Sequence, residues 1–319
     1  MATKSSNGST KKTYSYLGPV GTFTELALAQ VPEAKGANWH PVANVQEAID
    51  NVVSGHSARA VIPIENSIEG GVSATLDALA ATDGIRIFGE YLVPVTFNLV
   101  ARPGVAIKDV VTVATHPVAY AQTHKWLSAN LPGHAYLPAT STAAAAAGLL
   151  HEGSIADAAV AASTITEHYA LKVLAKNIGE HKNAQTRFVQ IGLAAEVPAA
   201  TGRDKTSIII EMPNDRPGAL LEMLEQFAVR GVNLSRIESR PIGDRLGRYR
   251  FNIDAQGHLS DAAMAEALKG LHRFSPRVQF LGSYPRADKE KSVHEGNNSN
   301  MQFEDAEVWF DLIANTNKR

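Results

Sequence analysis

The sequence predicts an α/β protein with a two-lobed first domain and a smaller second domain of four strands and two helices. Three observations predict this fold. From Thr13 onward, short apolar runs alternate with segments of helical periodicity. A long apolar segment interrupts the alternation, which then restarts, and a Pro- and Gly-containing stretch, "AAEVPAATGRD", precedes the last third of the chain. Strands that alternate with helices predict right-handed crossovers in a mostly parallel sheet.

The first lobe is predicted from three strand-helix pairs. They are "YSYLG" with "TFTELALAQV", "ANWHPV" with "VQEAIDNVVSG", and "RAVIPIE" with "GGVSATLDALAAT". The apolar segment that follows, "IRIFGEYLVPVTFNLVARP", has Pro94 in its middle. Because proline cannot donate a ladder hydrogen bond, this segment is expected to form two strands joined at a bend.

The second lobe follows the same pattern. Its strands and helices are predicted at "VVTVATHP", "AYAQTHKWLSANL", "AYLPATS", "TAAAAAGLLHEG", "AAVAAST" and "ITEHYALKVLA". If the next apolar run, "RFVQIG", returns to the first sheet, the chain crosses between the lobes near residues 90–100 and again near 180–190. Two lobes joined in this way enclose a cleft, and "NAQTRF" lies where the second crossing enters it.

The second domain has the element order βαββαβ, which is the ferredoxin-like split unit. In its first helix, Leu220, Leu221, Leu224, Phe227 and Ala228 fall on one face, and Gly231 follows as a stop signal. The complete division is therefore a disordered tail at 1–12, the two-lobed domain at 13–194, a linker at 195–204, the second domain at 205–285 and a mostly flexible tail at 286–319. Within that tail, "EVWFDLI" is compatible with one or two docked helical turns.

Composition narrows the classes of function. The 319 residues carry a net charge of -2 without clustered Lys and Arg, which argues against a nucleic-acid or membrane-surface partner. The absence of cysteine excludes disulfides, thiolate nucleophiles and thiolate metal sites. No apolar run approaches the roughly 18 residues of a spanning helix, and the polar start "MATKSSNGSTKK" is not a secretory signal. We expect a cytosolic protein that binds small molecules.

Polar residues at the ends of apolar strands are the candidate functional groups, because ligands bind there in open α/β sheets. "IPIENSIEGG" ends a strand with Glu65, Asn66 and Ser67, and its glycines allow backbone N–H groups to approach a ligand. In "ATSTAAAAAG", Ser141 or Thr142 can cap a helix. Both segments are candidate anion sites. The signatures of phosphate loops, zinc proteases and serine hydrolases are absent from the sequence.

Each of these features also has a purely structural interpretation. A Ser or Thr before a helix is usually only a cap, and "GPVGTFTE" can be a turn followed by a helix with Glu25 in its first turn. In "ATHPVAYAQ", His116 can simply cap a helix or pack. Several polar strand ends that face one predicted cleft are harder to attribute to coincidence.

Five motifs, in this order, resemble prephenate dehydratases. They are "GPVGTFTE", "PIENSIEGGV", "THPVAYAQ", "STAAAA" and "NAQTRF". The second domain, with "RPGALLEML" and "ESRP", resembles the ACT regulatory domain attached to those enzymes. The resemblance covers residues 13–285, and its ordered set of motifs is specific. It implies a type 2 periplasmic-binding-protein-like catalytic domain that converts prephenate to phenylpyruvate in phenylalanine synthesis, with no metal or organic cofactor.

The resemblance also implies roles for residues. The catalytic Thr and Phe fall on Thr186 and Phe188, with Arg187 between them and Glu65 on a neighbouring strand end. Residues of the other motifs are implied to contact substrate: Asn66, Ser67, Thr115, Gln122, Ser141, Thr142 and Thr22. The sequence departs from the usual family pattern at Val118 and Thr123, where Gln and Cys are common, and Thr115 stands in place of Ser.

The chemistry sharpens some of these roles. A threonine hydroxyl is a poor acid near pH 7, so we predict that Thr186 polarises the leaving hydroxyl; Glu65 would be the stronger acid if burial raised its pKa. Arg187 is predicted on the pyruvyl carboxylate of the substrate or on a structural partner. Phe188 is predicted either beneath the substrate ring or in the ordinary core.

The ACT resemblance implies that phenylalanine binds the second domain at a subunit interface. The implied site residues are Asn214, Pro217, Gly218, Ala219, Leu220, Glu238, Ser239 and Arg240. A homo-oligomer, a dimer or a tetramer built from dimers, is implied as well. Two alternatives stay open: arogenate as the substrate, and a non-catalytic sensor that binds an amino acid, since a shared fold does not fix function.

Overall fold

The structure, a computed structural model, describes residues 11–213, 216–243, 247–291 and 298–315. It confirms the predicted α/β class. Contacts divide the chain into two compact units: unit 1 holds the residues up to Thr75 and Tyr91–Gln190, and unit 2 holds Leu76–Glu90 and the residues from Ile191 onward. The predicted domains and these units therefore differ in their assignment of residues 76–90 and 191–194.

The first lobe is built from the three predicted strand-helix pairs and a short hairpin strand. In chain order its elements are β1 (Thr13–Leu17), α1 (Phe23–Ala29), β2 (Asn38–Val42), α2 (Val45–Val53), β3 (Arg59–Asn66), β4 (Gly70–Gly71) and α3 (Ser73–Ala81). Strand β1 pairs in parallel with both β2 and β3. Parallel pairing follows from the helical crossovers, because a strand that returns through a helix enters the sheet in the same direction.

The second lobe is a mixed sheet with helices. Its elements are β6 (Phe97–Ala101), β7 (Thr112–Thr115), α4 (Pro117–Asn130), β8 (Ala135–Pro138), α5 (Thr142–Gly148), β9 (Ala158–Ala162), α6 (Ile165–His168) and β10 (Lys172–Ala175). Strand β7 pairs in parallel with β8 and β9, whereas β6 runs antiparallel to both β9 and β10. The strand order is β10-β6-β9-β7-β8.

Two crossings join the lobes. The long apolar segment forms β5 (Ile85–Pro94) in the first sheet and β6 in the second, as expected of two strands joined at a bend. Strand β11 (Gln185–Leu193) then returns to the first sheet, whose main order is β2-β1-β3-β11-β5. Residues 186–192 of β11 are all buried. The "NAQTRF" segment therefore ends in a core strand, as its apolar residues predict.

The second domain has the predicted βαββαβ order. Its elements are β12 (Asp204–Glu211), α7 (Ala219–Ala228), β13 (Leu234–Pro241), β14 (Tyr249–Gln256), α8 (Ala262–Phe274) and β15 (Val278–Pro285). The sheet order is β13-β14-β12-β15, and every neighbouring pair is antiparallel.

The buried face of α7 matches the predicted one only in part, because Phe227 and Leu224 pack in the core as predicted whereas Leu220 and Leu221 do not. Met223 and Phe227 lie in the core of the second domain, whereas Leu220 and Leu221 are 43% and 60% exposed. The helix contains more apolar residues than one face can bury, so its periodicity is compatible with either of two buried faces. In the structure, the face that carries Met223 packs against α8 and the sheet.

A helix occupies part of the tail that we expected to be mostly flexible. Helix α9 spans Asn300–Asn315. Phe303 packs against the core of the second domain, and the Asn300 Oδ1 accepts a hydrogen bond from the Ala262 N–H at 2.8 Å. These two contacts anchor the start of the helix, and neither partner is near it in the sequence.

In the described ranges, no helix is both long and apolar enough to cross a membrane.

Unit 2 includes a segment from the first half of the chain. The Lys205 ammonium donates to both carboxylate oxygens of Glu90, at 3.0 and 2.8 Å, and both residues are buried. The Gln279 Nε2 donates to the carbonyls of Leu79 and Thr82. These bonds hold the end of α3 and the start of β5 against the sheet of the second domain.

Candidate active site

A cleft in unit 1 collects most of the predicted catalytic segments. Its volume is about 260 Å³. The lining residues come from the β1–α1 connection, the ends of β3 and β11, the β5–β6 bend, and the starts of α4 and α5; they are Leu17, Gly18, Thr22, Phe23, Thr24, Asn66, Val95, Phe97, His116, Val118, Ala119, Gln122, Thr140, Ser141, Thr142, Thr186 and Phe188. Both lobes therefore contribute to one site.

Thr186 and Asn66 form a hydrogen-bonded pair in the cleft. The Asn66 Nδ2 donates to the Thr186 Oγ1 at 2.9 Å, and the Asn66 Oδ1 accepts the backbone N–H of Ile68. The amide is thereby oriented with its nitrogen toward the threonine. Because the Thr186 oxygen accepts this bond, its own hydrogen remains able to donate to a ligand.

Arg187 and Glu65 lie next to this pair but are not among the lining residues. The Arg187 Nε donates to the Glu65 Oε2 at 3.0 Å. The Arg187 side chain is 7% exposed and that of Glu65 is 35% exposed. The sequence left two placements open for Arg187, one on the substrate carboxylate and one on a structural partner. The contact with Glu65 corresponds to the second.

Aromatic residues form part of the cleft wall. Phe188 lines the cleft and also belongs to the core cluster of the first lobe. Phe23 and Phe97 meet edge to face, with ring centroids 5.7 Å apart. Neither Phe23 nor Phe97 was predicted from the sequence as a site residue. Phe23 lies inside a quoted motif, but nothing in the sequence places it opposite a residue from the second lobe.

The second lobe contributes hydroxyl and amide groups from helix starts. Ser141 caps α5, because its Oγ accepts the Ala144 N–H at 2.9 Å. Thr142 lines the cleft beside it. Gln122 is only 6% exposed, and its Nε2 has no hydrogen-bond partner among the described residues. A buried donor that lacks a partner in a cleft is available to a ligand.

Three predicted ligand-binding features are not among the lining residues of the cleft. Thr115 is fully buried and donates its hydroxyl to the Val160 carbonyl at 2.8 Å, because its strand is interior to the second sheet. Ser67 accepts the Gln185 N–H through its Oγ. Gly70 and Gly71 pair with Asn66 and Glu65 as a hairpin strand. Thr22 does line the cleft, and its hydroxyl donates to the Leu17 carbonyl.

The lining contains no Asp, Glu, Lys or Arg among the described residues, and one titratable side chain, His116. His116 is the N-cap of α4. The sequence suggested capping or packing for this residue and did not select it as a site residue. No group of three His, Asp or Glu side chains able to hold a metal ion occurs in the part of the chain that the structure describes.

Comparisons with known proteins agree with this geometry. Residues 14–196 match the sequence profile of the prephenate dehydratase family. A prephenate dehydratase of Mycobacterium marinum is 45% identical over 278 residues, which cover 85% of this chain and 87% of the relative. This chain belongs to the prephenate dehydratase family. The family's Corynebacterium glutamicum member is 41% identical over 283 residues, with 87% of this chain and 89% of the relative covered.

The second match of this prephenate dehydratase family member is to the ACT domain, over residues 206–273. A solved structure from Arthrobacter aurescens, described as prephenate dehydratase in complex with L-Phe, superposes with a TM-score of 0.91 at 50% identity. The superposition covers 95% of this chain and 99% of that one. The predicted family and its ACT domain are therefore confirmed.

The predicted effector residues of the ACT domain lie in two segments. Gly218 adopts φ +84° and directly precedes α7, Ala219 is the first residue of the helix, and Pro217 and Leu220 flank them. On β13, Ser239 is exposed, and Glu238 lies 3.5 Å from the Arg236 guanidinium. Asn214 lies outside the described residues.

Arg240 has a partner that the sequence did not predict. Its Nη2 donates to the Asp77 Oδ2 at 2.6 Å, and its Nε donates to the Oδ1 at 3.2 Å. Arg250 donates to the same Oδ1 at 2.6 Å. The hydrogen bond from Arg240 is the largest cause that lowers the pKa of Asp77 below its ordinary value, and Arg250 adds to it. The Arg240 guanidinium therefore holds α3 within unit 2.

Asp77→Asn should lower the thermal midpoint at pH 7 by about 1–2 °C, the shift expected for at most about 1 kcal/mol in 319 residues. The value is this small because the Asp77 side chain is 44% exposed and solvent screens its ion pairs. The Asp77 pKa is depressed in the folded state, so its ionised form stabilises the fold above the unfolded value near 3.8. That contribution is lost as the pH falls through the lower, folded pKa. The midpoints of the variant and the parent should therefore begin to converge as the pH falls below about 4.

Asp83→Asn is the matched control. Asp83 accepts from Arg277 at 2.9 Å, but its side chain is 83% exposed, so its loss should shift the midpoint little. A difference between Asp77→Asn and the parent that does not change from pH 7 to pH 3 would show that the carboxylate charge is not what stabilises this contact.

Proposed function

We propose that this protein converts prephenate to phenylpyruvate, carbon dioxide and water. In this reaction the bond from the ring to its carboxylate breaks, and the electron pair enters the ring. The bond to the ring hydroxyl breaks on the opposite side, and the hydroxyl leaves with one added proton as water. The gain of aromaticity drives the reaction, so the protein must hold the substrate and assist the leaving hydroxyl.

The hydrogen bond between Asn66 and Thr186 is the observation that carries this proposal. The Asn66 Nδ2 occupies a lone pair of the Thr186 oxygen, which directs the threonine hydrogen elsewhere. Thr186 is 9% exposed and lines the cleft, where a donated hydrogen bond is stronger than in water. Thr186 therefore polarises the leaving hydroxyl. The proton that this hydroxyl gains need not come from the threonine.

The absence of charged side chains from the described cleft lining suits this reaction. A cation beside the departing carboxylate would stabilise the ground state and raise the barrier to its loss. Arg187, the nearest arginine in the sequence to Thr186, is bonded to Glu65. Phe23, Phe97 and Phe188 line the cleft and offer apolar surface to a six-membered carbon ring.

The direct test is incubation of the purified protein with prephenate, with phenylpyruvate formation followed by its absorbance. Arogenate carries an amino group where prephenate has a keto group. It is supplied in a parallel assay, in which phenylalanine formation is measured. We expect turnover of prephenate with the higher kcat/KM. If only arogenate were turned over, arogenate and not prephenate would be the substrate. Binding of either compound without turnover would favour the sensor alternative.

L-Phenylalanine is proposed to inhibit the enzyme through the ACT domain, which places the protein in phenylalanine synthesis under end-product control. The support is the ACT match and the relative from Arthrobacter aurescens, whose structure is described as a complex with L-Phe. The start of α7 and the Glu238–Ser239 segment of β13 are the proposed contacts. Feedback of this kind couples two distinct sites, and we propose that a homo-oligomer provides the coupling.

Gly218→Val is expected to weaken inhibition by L-phenylalanine at least ~10-fold while prephenate turnover stays near that of the parent. Gly218 has φ +84°, which a β-branched residue adopts only with strain, so the turn before α7 must rearrange. The inhibition constant of L-phenylalanine, with D-phenylalanine as the stereochemical control, measures the effect.

Gly36→Val is the matched control for this strain. Gly36 has φ +76° and no atom within 4 Å of a Cβ built on it, as is also true of Gly218, but it lies in unit 1. The control should keep the parental inhibition constant. If L-phenylalanine leaves the rate of the active parent unchanged, the feedback proposal is wrong although the enzymatic one stands.

A further inference from the structure

His116 presents one defined hydrogen-bond donor to the cleft. Its Nδ1 accepts the backbone N–H of Val118 at 3.3 Å, as an N-cap side chain does. A ring nitrogen that accepts carries no hydrogen, so the neutral imidazole holds its proton on Nε2. No described residue hydrogen-bonds this Nε2. Capping therefore fixes the tautomer that leaves a donor free.

Gln122 supplies a second donor from the same helix. It lines the cleft on the turn of α4 that follows His116, is 6% exposed, and has an Nε2 without a partner among the described residues. Ala119 also lines the cleft, so this side of the 14-residue helix faces it. The start of a helix of this length adds a favourable field for a negative group.

The geometry points to a carboxylate site at the start of α4, where the His116 Nε2–H and the Gln122 Nε2 hold the carboxylate of the three-carbon side chain of the substrate. This inference rests on the proposed function. No Lys or Arg lines the described cleft, so a dianionic substrate must rely on the other N–H and O–H donors of the lining. His116 caps α4, Gln122 lies on it, and both line the cleft; the Gln122 Nε2 has no partner among the described residues.

The two carboxylates of prephenate make different demands on the protein. The ring carboxylate departs as carbon dioxide, and two donors bonded to it would stabilise the charge that must be lost. The side-chain carboxylate keeps its charge throughout the reaction, so donors bonded to it bind the ground and transition states alike. A paired donor site is therefore assigned to the carboxylate that remains in phenylpyruvate.

Two substitutions of His116 separate its two nitrogens. In His116→Asn the amide oxygen can replace Nδ1 as the cap acceptor, because Asn is a favoured N-cap, but nothing reaches the Nε2 position. In His116→Gln the longer amide can replace the Nε2 donor. We expect His116→Asn to raise the KM for prephenate and the inhibition constant of phenylpyruvate by the same factor, ~10- to 100-fold, with kcat little changed. His116→Gln should stay within about fivefold of the parent on both measures.

Phenylpyruvate is the informative probe because it retains only the side-chain carboxylate. If His116→Asn raised KM but left phenylpyruvate inhibition unchanged, the site would belong to the ring carboxylate and the inference would fail. Parental values of both constants would also overturn it. Gln122→Met, which removes the second donor without touching the cap, should produce the same parallel rise and decides the matter if His116→Asn does not fold.

His124→Asn is the matched control. His124 lies on α4 as well, but it is exposed and absent from the cleft lining, so its loss should change neither constant. Calorimetric titration of phenylpyruvate into the parent and His116→Asn tests binding without turnover. Loss of phenylpyruvate affinity in His116→Asn would therefore support the carboxylate site even if prephenate proved not to be the substrate, and the two failures are distinguishable.

Discussion

Thr186→Ala is expected to lower kcat for prephenate by at least ~100-fold, while KM changes less than about threefold. The hydroxyl is needed where the substrate C–O bond breaks, so its effect belongs to the transition state. Thr186→Ser keeps the hydroxyl and its bond from Asn66, and it should recover most of the rate. Steady-state measurement of phenylpyruvate formation gives both constants. A change confined to KM would remove Thr186 from the chemical step.

Thr112→Ala serves as the control for this substitution. Thr112 is a half-buried strand threonine of unit 1 that does not line the cleft. Its loss should leave kcat and KM within about twofold of the parent, because surface and strand substitutions away from a site have small effects.

Arg187→Met should destabilise the protein by about 1–3 kcal/mol. Breaking a fully buried ion pair costs about 3–5 kcal/mol, and the partial exposure of Glu65 reduces that value. Glu65→Gln keeps a hydrogen-bond acceptor and should cost less. A double-mutant cycle of thermal or denaturant unfolding should give a coupling free energy of about 1–2 kcal/mol.

The same variants decide between two proton sources. Because Glu65 is bonded to Arg187 and is not among the lining residues, Glu65→Gln should lower kcat no more than about tenfold, well below the effect of Thr186→Ala. An equal loss in the two variants would make Glu65 the acid. The pair Lys125–Glu180, 3.1 Å apart in unit 1, is the control; its lysine is 85% exposed and its glutamate 18% exposed, so the coupling free energy should be smaller, within about 0.5 kcal/mol.

The local features of the fold were predictable because they depend on neighbours in the sequence. Alternating apolar runs set the strands and helices of both lobes, and Pro94 marks the bend between β5 and β6. His116 caps the start of α4 and Ser141 caps the start of α5, as the residue types at these positions predict. The buried run that follows Gln185 was likewise visible in its apolar residues.

The candidate site was only partly predictable. Thr186, Asn66 and Gln122 were identified through motifs, and the structure brings them to one cleft. His116 was left as a possible cap because capping and ligand binding use different nitrogens of one ring, and a sequence motif does not separate them. Thr115 illustrates the opposite error, since its motif lies near the cleft while its hydroxyl is used inside the sheet.

The sequence by itself determined the elements, their order and the family of this protein, because periodicity, turn residues and motifs act over a few neighbouring positions. Only the tertiary structure decided which groups meet. Asn66 bonds a residue 120 positions away, and Arg240 bonds Asp77 across 163 positions. Pairings at such separations depend on how the strands and helices pack, and the strength of each hydrogen bond depends on the burial that this packing creates.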